Sequence, residues 1–100
     1  MKVFISQPMN GKSDEEILNE RNSIIDLIKT KFGQDTEIID SFVQGVPYNA
    51  KPLWYLGKSI ELMSEADVAF FARGWADARG CYIENQCALE YNIPAYYIYW

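Results

Sequence analysis

The stretch ADVAFFA, residues 66–72, is followed by the polar segment RGWADAR, residues 73–79, and by GCYIENQCALEYN, residues 80–92. Nearly every residue of the first segment is apolar, which is typical of a strand buried on both faces. The apolar residues of the third segment share one side of a helix: Ile83, Cys87, Ala88 and Tyr91. The stretch therefore predicts a strand, a glycine-bearing loop and a helix in succession.

The same alternation extends toward the N-terminus. Residues 2–6 form a short apolar run that ends at Gln7-Pro8, which predicts a strand followed by a loop. Ser13 and Glu16 form a capping box, so we expect a helix to begin there and to end at Gly33. Residues 36–39 are predicted to form a second strand, and residues 41–52 have the composition of a long loop.

Two further elements complete the chain. Apolar residues at helical spacing predict a helix after the long loop: Leu53, Leu56, Ile60 and Met63. Pro94 introduces a last strand, predicted over residues 95–99. The order βαβαβαβ predicts an α/β domain with a parallel sheet of about four strands, three helices, right-handed crossovers and the strand order 2-1-3-4.

This order places a topological switch point between the first and third strands. Ligands of open α/β sheets bind outside the carboxyl ends of the strands at such a point. The segments expected to meet there are residues 7–12 and 73–84. Each ends in a helix N-terminus, so the crevice should favour an anionic group such as phosphate.

Length and charge narrow the classes of partner. One hundred residues are expected to form one domain, residues 1–100, with a thin core, and the three Trp and seven Tyr favour a homo-oligomer. The net charge of −5, without a basic cluster, argues against binding to a nucleic acid polymer.

Location and metal content follow from what the sequence lacks. The start MKVFISQP is too short an apolar run for a signal peptide, and no window approaches a membrane span, so we expect a cytoplasmic protein that does not bind membranes. The sequence contains no histidine and no CxxC pair, so we expect no metal site and no cofactor.

Several residues of the crevice segments can carry chemistry. Gly11, Gly74 and Gly80 would let backbone N–H groups approach a ligand, although each can equally be a turn or cap residue. The available cations are Lys12, Arg73 and Arg79. Glu84 falls about one turn into the third helix, where an ionised carboxylate could attack an anomeric carbon or merely complement the helix dipole.

Two segments resemble a known family. The start FISQPMNG and the segment ADVAFFARGWADARGCYIENQCALEYNIP, which together anchor a likeness over essentially the full chain, resemble nucleoside 2-deoxyribosyltransferase-like proteins, closest to the domain-of-unknown-function 4406 group. The resemblance implies a Rossmann-like fold, a dimer or larger assembly, and Glu84 as the catalytic glutamate that attacks C1′ of a deoxyribose and displaces the base. The implied ligand is a nucleoside or nucleotide, and binding is expected from residues of the two crevice segments: Gln7, Pro8, Met9, Gly11, Gly74, Trp75, Asp77, Arg79 and Gly80.

The chain departs from the family pattern at three positions. Phe4 stands where the family has a tyrosine whose hydroxyl supports the carboxylate, and Ala78 replaces a site-lining serine or aspartate. Ser59, at the position of an aspartate that helps protonate the leaving base, is expected to fill space. Two functions stay open, a transferase or hydrolase of N-glycosidic bonds and a module that binds a nucleotide without turning it over.

Aromatic residues near the crevice also have two interpretations. Trp75 can stack on a base or pack in the core. Trp54 and Tyr55, at the start of the second helix, have the same alternatives, with packing the more common use.

Overall fold

The computed structural model describes residues 1–40 and 51–98, in which strands and helices alternate along the chain. The elements, in chain order, are β1 (Lys2–Ser6), α1 (Asp14–Phe32), β2 (Glu37–Ile38), α2 (Pro52–Met63), β3 (Val68–Phe71), a 3₁₀ helix (Trp75–Asp77), α3 (Arg79–Glu90) and β4 (Ala95–Tyr97). This is the predicted βαβαβαβ order. Within the described residues, no helix is long and apolar enough to cross a membrane.

The four strands form one parallel sheet in the order β2-β1-β3-β4. β1 pairs with β3 from Val3 opposite Val68 to Ser6 opposite Phe71. The α/β class and the strand order 2-1-3-4 are therefore as predicted. The two central strands, β1 and β3, end side by side, and the chain leaves them in helices on opposite faces of the sheet.

The long helix α1 begins and ends where its sequence predicts. The Ser13 hydroxyl accepts a hydrogen bond from the Glu16 N–H at 3.1 Å, which satisfies one of the donors left free at a helix N-terminus. At the other end, the Gly33 N–H donates to the Lys29 carbonyl at 2.8 Å, and Gly33 has φ 116°, a conformation that favours glycine.

Alternate residues of β1 point to two separate cores, because successive side chains of a strand point to opposite faces. The α1 core packs beneath α1 and consists of Val3, Ile5, Ile24, Ile28, Val68, Phe70, Ala72 and Ile98. The α2–α3 core lies on the other face and consists of Phe4, Ile39, Met63, Ala69, Phe71 and Ala88. The side chain of Ser6 shares the second face with Phe4.

Several boundaries differ from the predicted ones. The strands predicted over residues 36–39 and 66–72 are shorter, and the loop predicted over residues 73–79 contains the 3₁₀ helix. α3 begins at Arg79 and ends before Asn92, whose φ of 61° is left-handed and cannot continue a helix. Positions 41–50 of the predicted long loop and position 99 of the last strand lie outside the described residues.

Candidate functional site

A cleft of about 1220 Å³ opens at the carboxyl ends of β1 and β3. Three stretches line it, namely residues 4–10 at the end of β1, residues in the range 51–59 at the start of α2, and residues in the range 74–84 that lead into α3. Pockets for small ligands typically enclose about 300–1,000 Å³. The space therefore suffices for a ligand of nucleotide size.

The structure brings most of the expected binding residues together around this cleft. Seven of the nine line it: Gln7, Pro8, Met9, Gly74, Asp77, Arg79 and Gly80. Glu84 lines the cleft as well. Gly11 and Trp75 are not among the lining residues.

Gly11 and Trp75 have local roles instead. Gly11 has φ 79° and occupies the turn closed by the hydrogen bond from the Lys12 N–H to the Met9 carbonyl at 3.2 Å. The Trp75 ring packs against Phe71 and Tyr97, with ring centroids 5.7 and 5.1 Å away, at the edge of the α2–α3 core. These contacts are the turn and the packing that the sequence allowed as alternatives, and ligand binding by either residue stays a prediction.

The first two turns of α2 form a wall of the cleft that the sequence interpretation left out of the site. Its lining residues are Lys51, Pro52, Leu53, Tyr55, Leu56 and Ser59. Trp54 does not line the cleft, and its ring meets that of Tyr55 edge-on at 5.3 Å. The strand order contains the missed signal, since a helix that connects two parallel strands must begin at the carboxyl edge where ligands bind.

The Glu84 carboxyl group lies at the base of the cleft, and the side chain is buried, with 6% of its surface exposed. The Ser6 hydroxyl donates a hydrogen bond to Glu84 Oε1 at 2.6 Å. Burial raises the pKa of Glu84, and hydrogen bonds with the hydroxyls of Ser6 and Ser59 act in the opposite direction. Glu84 is thus held by β1 and by α2 while it belongs to α3.

Ser59, which was expected to fill space, lines the cleft together with Glu84, and its hydroxyl lowers the pKa of Glu84. Phe4 is fully buried in the α2–α3 core and also lines the cleft. Ser6, two residues later on the same face of β1, places a hydroxyl against Glu84.

Cys81 lies one turn before Glu84 and is also buried. Burial raises the pKa of its thiol to about 11, a hydrogen bond with the Ser6 hydroxyl lowers it, and the charge of Glu84 raises it. At neutral pH this thiol is protonated, and a thiol reacts as a nucleophile only after it has lost its proton. Glu84 is the better candidate for chemistry at the base of the cleft.

Gln7 and Lys12 are committed to α1. The Gln7 side-chain N–H₂ donates to the Ile17 carbonyl at 2.9 Å and to Glu20 Oε1 at 3.0 Å, while Lys12 Nζ lies 3.2 Å from Glu20 Oε2. These bonds fix the loop after β1 on the first turns of α1. The Gln7 side chain lines the cleft, and its amide nitrogen donates both of its hydrogen bonds to α1.

The remaining charged groups of the cleft wall are Lys51, Asp77 and Arg79, all of them exposed. Arg79 opens α3, so its charge adds to that of the helix N-terminus. Residues 1–40 and 51–98 contain no group of three or more His, Cys, Asp or Glu side chains placed to hold a metal ion. Arg79 and the N-terminus of α3 together suit an anionic group at that end of the cleft.

Comparisons of this chain with protein-family models, with curated proteins and with solved structures found no match.

Proposed function

We propose that the cleft binds a deoxynucleoside or a deoxynucleoside monophosphate and that the Glu84 carboxylate attacks its sugar. The observation that carries this proposal is the buried carboxylate of Glu84 at the base of the cleft, hydrogen-bonded by Ser6 at 2.6 Å. The carboxyl end of a parallel sheet at a switch point is where ligands of this fold class bind. The resemblance of the two quoted segments to nucleoside 2-deoxyribosyltransferase-like proteins supports the same assignment.

The walls of the cleft suit the two ends of such a ligand. The backbone N–H groups at the start of α3, beside Arg79, would receive a phosphate. Leu53, Tyr55 and Met9 offer apolar surface to a base. The sugar would then lie between these ends, above Glu84.

The reaction would proceed by nucleophilic substitution at C1′. A Glu84 oxygen forms a bond to C1′ as the C1′–N bond to the base breaks, and the electron pair of that bond leaves with the base, which takes up a proton. Water or a second base then attacks C1′ as the bond from C1′ to the Glu84 oxygen breaks, and the attacking group gives up a proton to solvent, which balances the proton taken up by the departing base. With water the reaction is hydrolysis, and with a base it is transfer.

Release of free base tests this proposal. The four common deoxynucleosides and their monophosphates are incubated with the protein, and free base is measured by chromatography. We expect base release by the wild-type chain and background levels with Glu84→Gln. Glu90→Gln is the matched control, because Glu90 lies exposed on the same helix and should leave the rate unchanged. Base release from none of these substrates, or full activity of Glu84→Gln, would contradict the proposal.

A second candidate function is binding without turnover. Burial raises the pKa of Glu84, which favours the neutral carboxyl over the ionised nucleophile. A neutral carboxyl group can donate a hydrogen bond to a sugar or base, but it is a poor nucleophile. This observation favours a module that senses or sequesters a nucleotide.

Thermal stabilisation tests the second function. A ligand that binds only the folded chain raises its stability by RT ln(1 + [L]/Kd). We expect nucleotides to raise the melting temperature and to be recovered intact by chromatography. A flat melting response across nucleosides and nucleotides would exclude this function, and recovery of free base would favour the enzyme.

We also propose that the protein forms a dimer or larger homo-oligomer in the cytoplasm. Large apolar side chains remain exposed on α2 and around the end of α3, among them Leu53 at 78% and Tyr91 at 79%. Small domains bury a low fraction of their surface, so association would cover part of this area. Both cysteines are free thiols, which suits a reducing compartment. Sedimentation equilibrium tests the assembly, and a monomer at micromolar concentration would contradict it.

A further inference from the structure

We propose that Ser6 and Ser59 are positioning residues that hold the Glu84 carboxylate from two sides and aim it into the cleft. This inference rests on the proposed function, since it names the residues that prepare Glu84 for its ligand. The two serines belong to β1 and α2, so the carboxylate of α3 is held by two elements that are far apart in the sequence.

The contact from Ser6 is short and buried. Its Oγ lies 2.6 Å from Glu84 Oε1, a distance typical of a hydrogen bond between a hydroxyl and a charged oxygen. Ser6 is 1% exposed and is the last residue of β1, where its carbonyl accepts a hydrogen bond from the Ala72 N–H at 2.8 Å. Because the sheet fixes the backbone of Ser6, it also fixes the position from which the Ser6 side chain extends toward Glu84.

The contact from Ser59 comes from a different direction. Ser59 lies half-buried on α2 and lines the cleft together with Glu84, and its hydroxyl lowers the pKa of Glu84 as that of Ser6 does. Two donors on separate elements restrict both the rotamer of the Glu84 side chain and the plane of its carboxylate. A single donor leaves the carboxylate free to rotate about that one hydrogen bond. The carboxylate therefore has one favoured orientation before a ligand arrives, which lowers the cost of reaching a reactive geometry.

Because both hydroxyl donors are neutral, they leave the charge of the Glu84 carboxylate available to a ligand. In the described residues the ion pairs are Lys12–Glu20 and Lys58–Glu61, and neither includes Glu84. A lysine or arginine partner would hold the carboxylate as an ion pair and compete with a ligand for its oxygens. Hydroxyl donors favour the ionised form without neutralising it.

Other ionisable groups surround the cleft, and the test must separate any effect that they have on Glu84. Cys81, Arg79, Asp77 and Lys51 line the cleft with Glu84, and the charge of Lys12 acts on Cys81. Arg79, Asp77 and Lys51 are exposed, so salt would screen their charges, whereas it has little effect on a hydrogen bond from a neutral hydroxyl. Titrations at low and high salt therefore distinguish the two contributions.

The first measurement is a direct titration of the Glu84 carboxyl by NMR, with isotope-labelled glutamate and Glu84→Gln to assign the signal. Ser6→Ala and Ser59→Ala should each raise the pKa of Glu84, and the double variant should raise it further, at low and high salt alike. Ser64→Ala is the control, because the Ser64 hydroxyl is exposed and donates to the Glu61 carbonyl outside the cleft. An unchanged Glu84 titration in the double variant would overturn the proposal.

The second measurement uses the kinetics of base release. We expect Ser6→Ala and Ser59→Ala to lower kcat by about tenfold or more with KM changed little, because orientation acts in the transition state. Ser59→Thr keeps a hydroxyl on α2 and should restore most of the rate. A purely structural role predicts lower stability with unchanged kcat, and that outcome would overturn the positioning role.

The two measurements separate this inference from the proposed function. If the wild-type chain releases no base, the proposed reaction fails while the titration still decides whether the serines hold the carboxylate. If Ser6→Ala does not fold, Ser59→Ala alone decides the question, since its site is half-buried on a helix. Base release that persists in both serine variants at the wild-type kcat leaves the function intact and removes the inference.

Discussion

The two faces of the sheet are built from alternate residues of β1, yet they bury different kinds of side chain. On the α1 side, Val3 and Ile5 meet Ile24 and Ile28, and all four are apolar and at most 2% exposed. On the α2–α3 side, Phe4 is followed by Ser6, whose hydroxyl meets the carboxylate of Glu84. Burying polar groups costs free energy unless they are hydrogen-bonded. The comparison teaches that the side chains of β1 that face α1 serve packing, while its last side chain on the other face serves the site.

The largest effect is expected on the α1 side. Ile28 is fully buried, so Ile28→Ala should lower the free energy of unfolding by about 2–5 kcal/mol, measured by urea denaturation. Leu27→Ala is the control, because the neighbouring side chain is 40% exposed and its loss should cost about 0.5 kcal/mol or less. Equal costs for the two variants would contradict the burial of Ile28 in the α1 core.

A smaller loss is expected from the polar part of the other face. The Asn85 side chain is 2% exposed and donates to the Tyr97 hydroxyl at 2.8 Å. Tyr97→Phe removes that acceptor and should cost about 1–3 kcal/mol in the same measurement. Tyr96→Phe serves as control on the neighbouring residue, which is 36% exposed. A cost for Tyr97→Phe no greater than that of the control would show that the bond adds nothing to stability.

Alanine substitutions at two glycines, Gly74 and Gly57, should change the free energy of unfolding in opposite directions. Gly74 has φ 85°, so Gly74→Ala should cost about 1–2 kcal/mol, although a Cβ there would meet only Pro8 Cγ at 3.9 Å. Gly57 lies within α2 with open space around it, and Gly57→Ala should gain about 0.5–1 kcal/mol. Thermal denaturation of both variants measures the pair. A loss at Gly57 would indicate that α2 is not an ordinary helix there.

The mildest change is expected to be a gain. Because burial raises the pKa of Glu84, the folded chain keeps its proton at pH values where the unfolded chain has lost it. The contribution of Glu84 to wild-type stability should therefore fall as the pH rises above about 4.3, the usual value for glutamate. Glu84→Gln removes this dependence, so its melting temperature should exceed that of the wild type by more at pH 7 than at pH 4. Glu90→Gln should show no such trend. If the melting temperature of Glu84→Gln relative to wild type were lower at pH 7 than at pH 4, the pKa of Glu84 would not be raised in the folded chain.

The backbone plan could be predicted from local patterns. The capping pair Ser13 and Glu16, the apolar run of residues 66–72 and the alternation of strands with helices led to the correct order of elements and of strands. These features work because capping, periodicity and crossover handedness act over short distances or allow few alternatives. Exact strand ends were less well predicted, since they depend on where a neighbouring strand stops pairing.

The site could be predicted only in part. The position of Glu84 near the start of a helix singles it out, and the structure puts it in the cleft, whereas Trp75 packs on neighbouring rings and Gly11 lies in a turn beside the lining residues. Ser6 was not singled out, and Ser59 was expected to fill space. A serine in a strand or helix has no periodic signal, so its importance depends on what faces it across the fold.

The amino-acid sequence by itself determined the order of strands and helices along the chain, the order of the parallel strands in the sheet and the edge at which a ligand would bind. These features follow from periodicity, helix caps and the handedness of connections. Only the tertiary structure decided which groups surround Glu84. Ser6 and Glu84 are 78 positions apart, and their 2.6 Å contact exists because pairing of β1 with β3 brings the end of one to the helix that follows the other. Local patterns hold no information on such a contact, since it depends on how three elements pack at once.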